Sequence, residues 1–192
     1  PDQYETIQEA IDAAEDGDTV YIYRKSDGNP HYISSIEGLD FKGKAIKIRS
    51  ENPDDPNIVA QTIIDCNDRS RAFIFQNGED ANSIIEGLTI INGLASGPVA
   101  TGTTAAYNPV DANIVYYSGN SASGDGFGGG IYIGENTSPT IRKCVFINCQ
   151  VTGAWSSDGL RGYDLPSGSQ LERGGRGGDG GDGSGNGYGG AI

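Results

Sequence analysis

Side chains that could do acid–base chemistry are few in this chain of 192 residues. The only histidine, His31, stands in the polar stretch Gly28-Asn29-Pro30-His31-Tyr32 and reads as an exposed loop residue. Four carboxylates, Asp65, Asp68, Glu79 and Asp80, lie near Arg69 and Arg71, a mixture that polysaccharide elimination or hydrolysis could draw on. They stand at turns, however, where charged side chains face water, so no catalytic constellation is expected among them. The stretch GDGFGG at 124–129 fits a Gly-x-Gly-x-x-Gly pattern, but an apolar strand follows it where a dinucleotide site needs a helix N-terminus. It reads instead as a flexible entry to that strand. Asn136-Thr137-Ser138 is a glycosylation sequon on a turn.

Composition narrows the classes further. The formal net charge is −13, and the thirteen Lys and Arg are scattered, so nucleic acid is not an expected partner. No apolar run approaches the ~18 residues of a membrane span. Methionine is absent even at position 1, and the chain reads as a processed product or an excerpt. Three cysteines, Cys66, Cys144 and Cys149, are too few for a disulfide framework and read as small buried apolar residues.

Glycine supplies 31 residues, of which only six precede residue 93. The first half therefore reads as an ordinary compact sequence and the second as short strands separated by long Gly/Ser/Ala/Thr segments. Residues 174–182 run Gly-Gly-Arg, Gly-Gly-Asp, Gly-Gly-Asp, which places Arg176, Asp179 and Asp182 at a period of three. That period fits an extended threefold helix packed against neighbouring chains, or a flexible linker. A calcium-binding nonapeptide with Asp179 and Asp182 as ligands is the lesser reading, because Gly181 or Ser184 fills its apolar position. No cofactor is expected.

The elements that must position these residues repeat. With no gap, NSIIEGLTIINGLASG (82–97) aligns with SPTIRKCVFINCQVTG (138–153), so that Ile85 meets Ile141, Leu88 meets Cys144, Ile90 meets Phe146 and Asn92 meets Asn148. AFIFQNGEDA matches GIYIGENT just upstream with a gap of two, and GYGGAI at 187–192 repeats GFGGGI at 126–131. Each unit is a short strand, a turn and a second strand bent at Gly87 or Lys143. A strand that bends and presents its next inward face wraps around a core, and one such coil cannot bury its own edge. The coils must stack, with Asn92 and Asn148 in register as an asparagine ladder at equivalent corners. Thr6 and Glu9 form a capping-box pattern ahead of Ile7, Ala10, Ile11 and Ala14, with Gly17 just past the end, which predicts a helix lying across the first coil. Residues 18–23, 44–50 and 61–66 read as early strands, separated by the turn-rich SDGNP and NPDDPN.

The opening YETIQEAIDAAEDGDTVYIY, with FKGKAIKIRSENPDDP and TIIDC, resembles the N-terminal part of secreted right-handed parallel β-helix proteins of the pectate-lyase-like superfamily. GGGIYIGENTSPTIRKCVFINC is similar to the repeats of bacterial surface β-helix proteins, including the polymorphic outer-membrane proteins. The resemblance implies an all-β fold, a right-handed parallel β-helix (solenoid) with an N-terminal capping helix and long insertions on one face, and an extracellular or cell-surface location. On that reading residues 1–192 form one β-helix domain, expected to be the N-terminal part of a longer repeat chain: 1–17 the capping helix, 18–93 the first coils, 94–125 an insertion, 126–149 a repeat coil, 150–186 a Gly-rich insertion and 187–192 the start of the next coil. The superfamily contains enzymes and non-catalytic proteins alike.

Both insertions occupy the same slot of the repeat, so they are expected to lie side by side as a second layer. They carry Tyr107, Tyr116, Tyr117, Trp155 and Tyr163, aromatic residues suited to protein or sugar contacts. The expected function is a non-catalytic structural or adhesive surface protein whose insertions mediate self-association as a filament or matrix subunit, with itself, another surface protein or a polysaccharide as partner. The alternatives are a carbohydrate-active lyase or hydrolase and a carbohydrate-binding module.

Overall fold

The computed structural model describes residues 4–96, 103–107, 115–119, 122–123, 126–153, 183–184 and 187–188. In chain order the elements are α1 (Ile7–Ala13), β1 (Thr19–Ile22), β2 (His31–Tyr32), β3 (Leu39–Asp40), β4 (Lys47–Ser50), α2 (Pro56–Gln61), β5 (Ile63–Asp65), β6 (Phe73–Phe75), β7 (Ile84–Glu86), β8 (Thr89–Ile91) and β9 (Leu94–Ser96). They continue with β10 (Thr103–Tyr107), β11 (Val115–Gly119), β12 (Ala122–Ser123), β13 (Gly126–Phe127), β14 (Ile131–Ile133), β15 (Thr140–Arg142), β16 (Val145–Ile147), β17 (Gln150–Thr152), β18 (Gly183–Ser184) and β19 (Gly187–Tyr188). The described protein is mostly β, with short helices and parallel strands in its main sheets.

The chain divides into two compact units, the first made of Pro1–Ala95, Phe127–Val151 and Tyr188–Ile192. It holds three parallel sheets, with strand orders β1-β4-β7-β15, β2-β5-β8-β16 and β3-β6-β14. Successive strands visit the three sheets in turn, so each strand pairs with one that lies a full circuit away along the chain. The register agrees with the sequence alignment. Ile85 pairs with Ile141 and Ile90 with Phe146, while Phe73 pairs with Ile131 as the gap of two requires.

Inward residues form columns across neighbouring strands. Val20, Ile48, Ile85 and Ile141 make one column, and Ile64, Ile90 and Phe146 another. Ile48, Ile85, Ile64 and Ile90 are fully buried, as are Phe41, Phe73 and Phe75. The Phe41 ring lies 4.6 Å from that of Phe75 and 6.0 Å from that of Phe73. Full burial of each such side chain contributes about 1.5–3 kcal/mol, so the columns are the main source of stability in this unit.

The bends are made by backbone in the left-handed region. Gly87 and Lys143, aligned in sequence, have φ of 71° and 54°, and the aligned Asn92 and Asn148 both have φ of 54°. Asparagine tolerates this conformation better than most residues, which accounts for its recurrence at the corner. The expected amide ladder is altered there: the Asn92 side-chain amide donates to the Asp65 carboxylate at 3.0 Å. A carboxylate accepts more strongly than a neutral amide, and one lies within reach on the preceding circuit.

Helix α1 lies against β1 and β3 and buries Ile11 completely. Its capping box is present, with Glu9 N–H donating to Thr6 Oγ1 at 3.2 Å and Thr6 N–H to Glu9 Oε2 at 3.0 Å. The C-terminal end is held by Lys44, whose Nζ donates to the carbonyls of Ile11, Asp12 and Ala14 at 2.8–2.9 Å. Gly17, with φ of 91°, turns the chain into β1 rather than capping the helix.

Two readings of the early chain need correction. Residues 56–61 are helix, and the strand read at 61–66 is confined to Ile63–Asp65. Asp55 caps this helix, Pro56 begins it, and Ile58 and Val59 are its buried residues. An acidic cap followed by proline at the first position is a helix start hidden inside a run that otherwise reads as turns.

The second unit consists of Ser96–Gly126 and Thr152–Gly187. Its described part includes an antiparallel pair, β10 with β11, that aligns Tyr107 with Val115, Ala106 with Tyr116 and Ala105 with Tyr117. Strand β12 pairs in parallel with β18, Ala122 opposite Gly183 and Ser123 opposite Ser184.

Candidate functional site

The outward face of the first sheet carries a charged column. Tyr21, Arg49, Glu86 and Arg142 stand in register on β1, β4, β7 and β15. Glu86 is 4% exposed and receives Arg142 Nε at 3.0 Å, with Lys143 Nζ at 3.7 Å and Arg49 Nε at 3.9 Å. Arg49 Nε is within ion-pair range but beyond hydrogen-bond length, and it is a buried donor with no acceptor. The Arg49 guanidinium lies over the Tyr21 ring, 5.9 Å from its centroid. Lys143 also bonds Asp54, and this bond holds the Asp54 carboxyl below the ordinary range. A carboxylate engaged by three cations is suited to holding neighbouring strands together.

A second arrangement centres on Arg71. Its Nε and one terminal nitrogen donate to the carbonyls of Gly128 at 3.2 Å and Phe127 at 3.1 Å, and its guanidinium lies 5.4 Å from the Tyr132 ring centroid. Burial lowers the guanidinium's affinity for its proton. Gly128, Gly129 and Gly130 are buried, and a Cβ on Gly128 would come within 2.4 Å of Ile131 O. From Phe127 onward, the described part of the stretch read as a flexible entry is a turn held by Arg71. Gly128, with φ of 59°, is required there by that close backbone approach.

The residues singled out for acid–base chemistry are not brought together. His31 lies in β2, half-buried rather than exposed in a loop, and its Nε2 donates to Tyr23 O at 2.8 Å. Glu79, expected to face water, is 1% exposed and accepts from the backbone N–H of Gly43 at 2.9 Å and Asn77 at 2.8 Å. Asp65 is likewise buried and accepts from Asn67 N–H at 2.8 Å. Both buried carboxylates are satisfied by the backbone amides of turns. Asp68 and Asp80 are exposed, as is Arg69. Asp80 bonds only within its own turn, to Asn82.

All three cysteines carry free thiols, and burial pushes the Cys66 thiol up to about 12. Cys144 and Cys149 are raised by burial as well. Asn136 is exposed on the turn after β14, with φ of 60°. Among the candidate interaction residues, Tyr107 stands on β10 and Tyr116 and Tyr117 on β11, while Trp155, Tyr163, Arg176, Asp179 and Asp182 lie outside the described residues. Among the described residues, no group of three or more His, Cys, Asp or Glu side chains is placed to hold a metal ion, and no helix is long and apolar enough to cross a membrane.

Sequence reasoning passed over the Glu86 cluster, although its signal was present. Arg142 aligns with Glu86, and Arg49 occupies the corresponding outward position one circuit earlier, so opposite charges alternate at one position of the repeat. Comparison with protein-family models, curated proteins and solved structures finds no match to this chain.

Proposed function

We propose that the three cyclically visited sheets form a right-handed parallel β-helix, and that this helix is a non-catalytic extracellular scaffold whose insertions mediate self-association. The observation that carries the reading is the pairing of the two insertions. Strand β9, where the first leaves, neighbours β17, where the second leaves, and Gln150 N–H donates to Gly93 O at 2.7 Å. Near their returns, Ala122–Ser123 pairs in parallel with Gly183–Ser184, and β13 neighbours β19. Insertions that start and finish as neighbouring strands have their own backbone to continue a layer upon, and such a layer offers edges to another copy.

The dispersal of His31, Asp65 and Glu79 into structural bonds also favours a scaffold over a lyase or hydrolase. Sedimentation velocity over a concentration series tests the proposal. Self-association that weakens when Tyr116 and Tyr117 are changed to serine supports it. A concentration-independent monomer that cleaves an acidic polysaccharide overturns it in favour of an enzyme, and saturable sugar binding without cleavage overturns it in favour of a carbohydrate-binding module.

A further inference from the structure

The three strands of the first circuit are finished differently at their outer edges. On β3, the Gln8 side chain imitates a neighbouring strand: Asp40 N–H donates to Gln8 Oε1 at 3.0 Å, and Gln8 Nε2 donates to Asp40 O at 3.1 Å. Near β2, the His31 ring closes onto Tyr23 O. Strand β1 lies at the end of its sheet with β4 on one flank, and among the described residues no strand lies on the other. Lys47 N–H donates to Asp18 O, so in a parallel ladder the backbone groups of Val20 turn toward β4 and those of Thr19 and Tyr21 turn away from it.

An open groove of about 650 Å³ runs beside that edge. Ile7, Ala10, Ala13 and Ala14 of the helix segment form one wall, and five consecutive residues, 19–23, form the other. Consecutive residues of a strand point to opposite faces, so a groove that touches all five meets the strand's edge rather than one of its faces. A free edge with an apolar helix wall beside it is the geometry that takes an extended peptide as an added strand.

Charge indicates which peptide. Residues 4–18 contain Glu5, Glu9, Asp12, Glu15, Asp16 and Asp18 and no Lys or Arg. Of these, Lys42 pairs with Asp12 at 2.8 Å, whereas Asp16 and Asp18 accept only from the backbone N–H of Ala45 and Glu15. We infer that the groove between α1 and β1 binds an extended basic peptide segment of a partner protein, which adds to the β1 edge with alternate apolar side chains against the helix.

The probe is a capped hexapeptide alternating valine and lysine, with glutamate replacing lysine in the control, followed by amide NMR shifts of the intact protein at low salt. The lysine peptide is expected to shift the Thr19 and Tyr21 amides and signals of Ala10 and Ala13, and to bind about tenfold or more tighter than the glutamate peptide. Thr19→Pro removes an outward N–H without touching the β4 ladder and is expected to weaken binding about tenfold. Should that variant unfold, Ala13→Lys at an exposed helix position places a like charge on the rim and is expected to weaken the lysine peptide alone. Absence of shifts, shifts elsewhere on the molecule, or equal binding of both peptides overturns the inference. So does slow hydrogen exchange of the Thr19 and Tyr21 amides in the free protein, which would mean that the edge is already paired.

Discussion

The middle of the stack and its last described circuit carry nearly the same inward residues in different surroundings. Ile85 and Ile90 are fully buried between neighbours on both sides, whereas their register partners Ile141 and Phe146 are only partly buried. Burial here is set by stacked neighbours rather than by residue type. A strand inside one of these sheets thus has its inward side chain covered by neighbours on both flanks, and the strand at the sheet's end has a neighbour on only one.

The largest expected effect follows directly. Ile85→Ala should cost about 2–5 kcal/mol in urea denaturation, and Ile141→Ala markedly less, because an alanine at a half-buried site leaves a smaller cavity. Equal losses at the two positions would break the comparison. Next come the bends. A Cβ on Gly87 would lie 2.3 Å from Pro53 Cβ, and φ is positive there, so Gly87→Ala should cost about 1–3 kcal/mol. Lys143 makes the same bend with a side chain in place, and Lys143→Ala, losing partly exposed ion pairs to Asp54 and Glu86, should cost about 1 kcal/mol or less.

The lid gives a smaller effect. Lys44→Met leaves three carbonyls at the end of α1 without their donor and should cost about 1–2 kcal/mol. Hydrogen exchange should then quicken in α1 before it does in β7 or β8. Uniform acceleration would mean that the lid and core open together.

The smallest effect at neutral pH concerns Cys66. Its folded pKa is raised by burial to about 12, so folding favours the neutral thiol. That contribution is fully present below the unfolded thiol's pKa of about 8.5 and is lost as pH rises toward 12. Stability should fall over that window, and Cys66→Ala should flatten the fall; an unchanged slope would assign the loss to other groups.

Period and repeat made the sheets legible: Ile85, Leu88 and Ile90 over Ile141, Cys144 and Phe146 gave the observed register. The capping box at Thr6 and Glu9 gave α1. Helix α2 was hidden because Asp55-Pro56 is both a turn signal and a helix start, and only the burial of Ile58 and Val59 decides between them. The inward carboxylates Glu79 and Asp65 were misread because their partners are backbone amides, which have no signature in sequence. Glu86 required its three cations to be seen in space, although the alternation of Arg49, Glu86 and Arg142 records the arrangement.

Electron microscopy of the purified protein beside a variant in which residues 97–125 are replaced by a short Gly/Ser link tests the self-association proposal most directly. Regular fibres or sheets from the unaltered protein and isolated particles from the folded variant are the predicted result. Isolated particles from both, or identical assemblies from both, would contradict it.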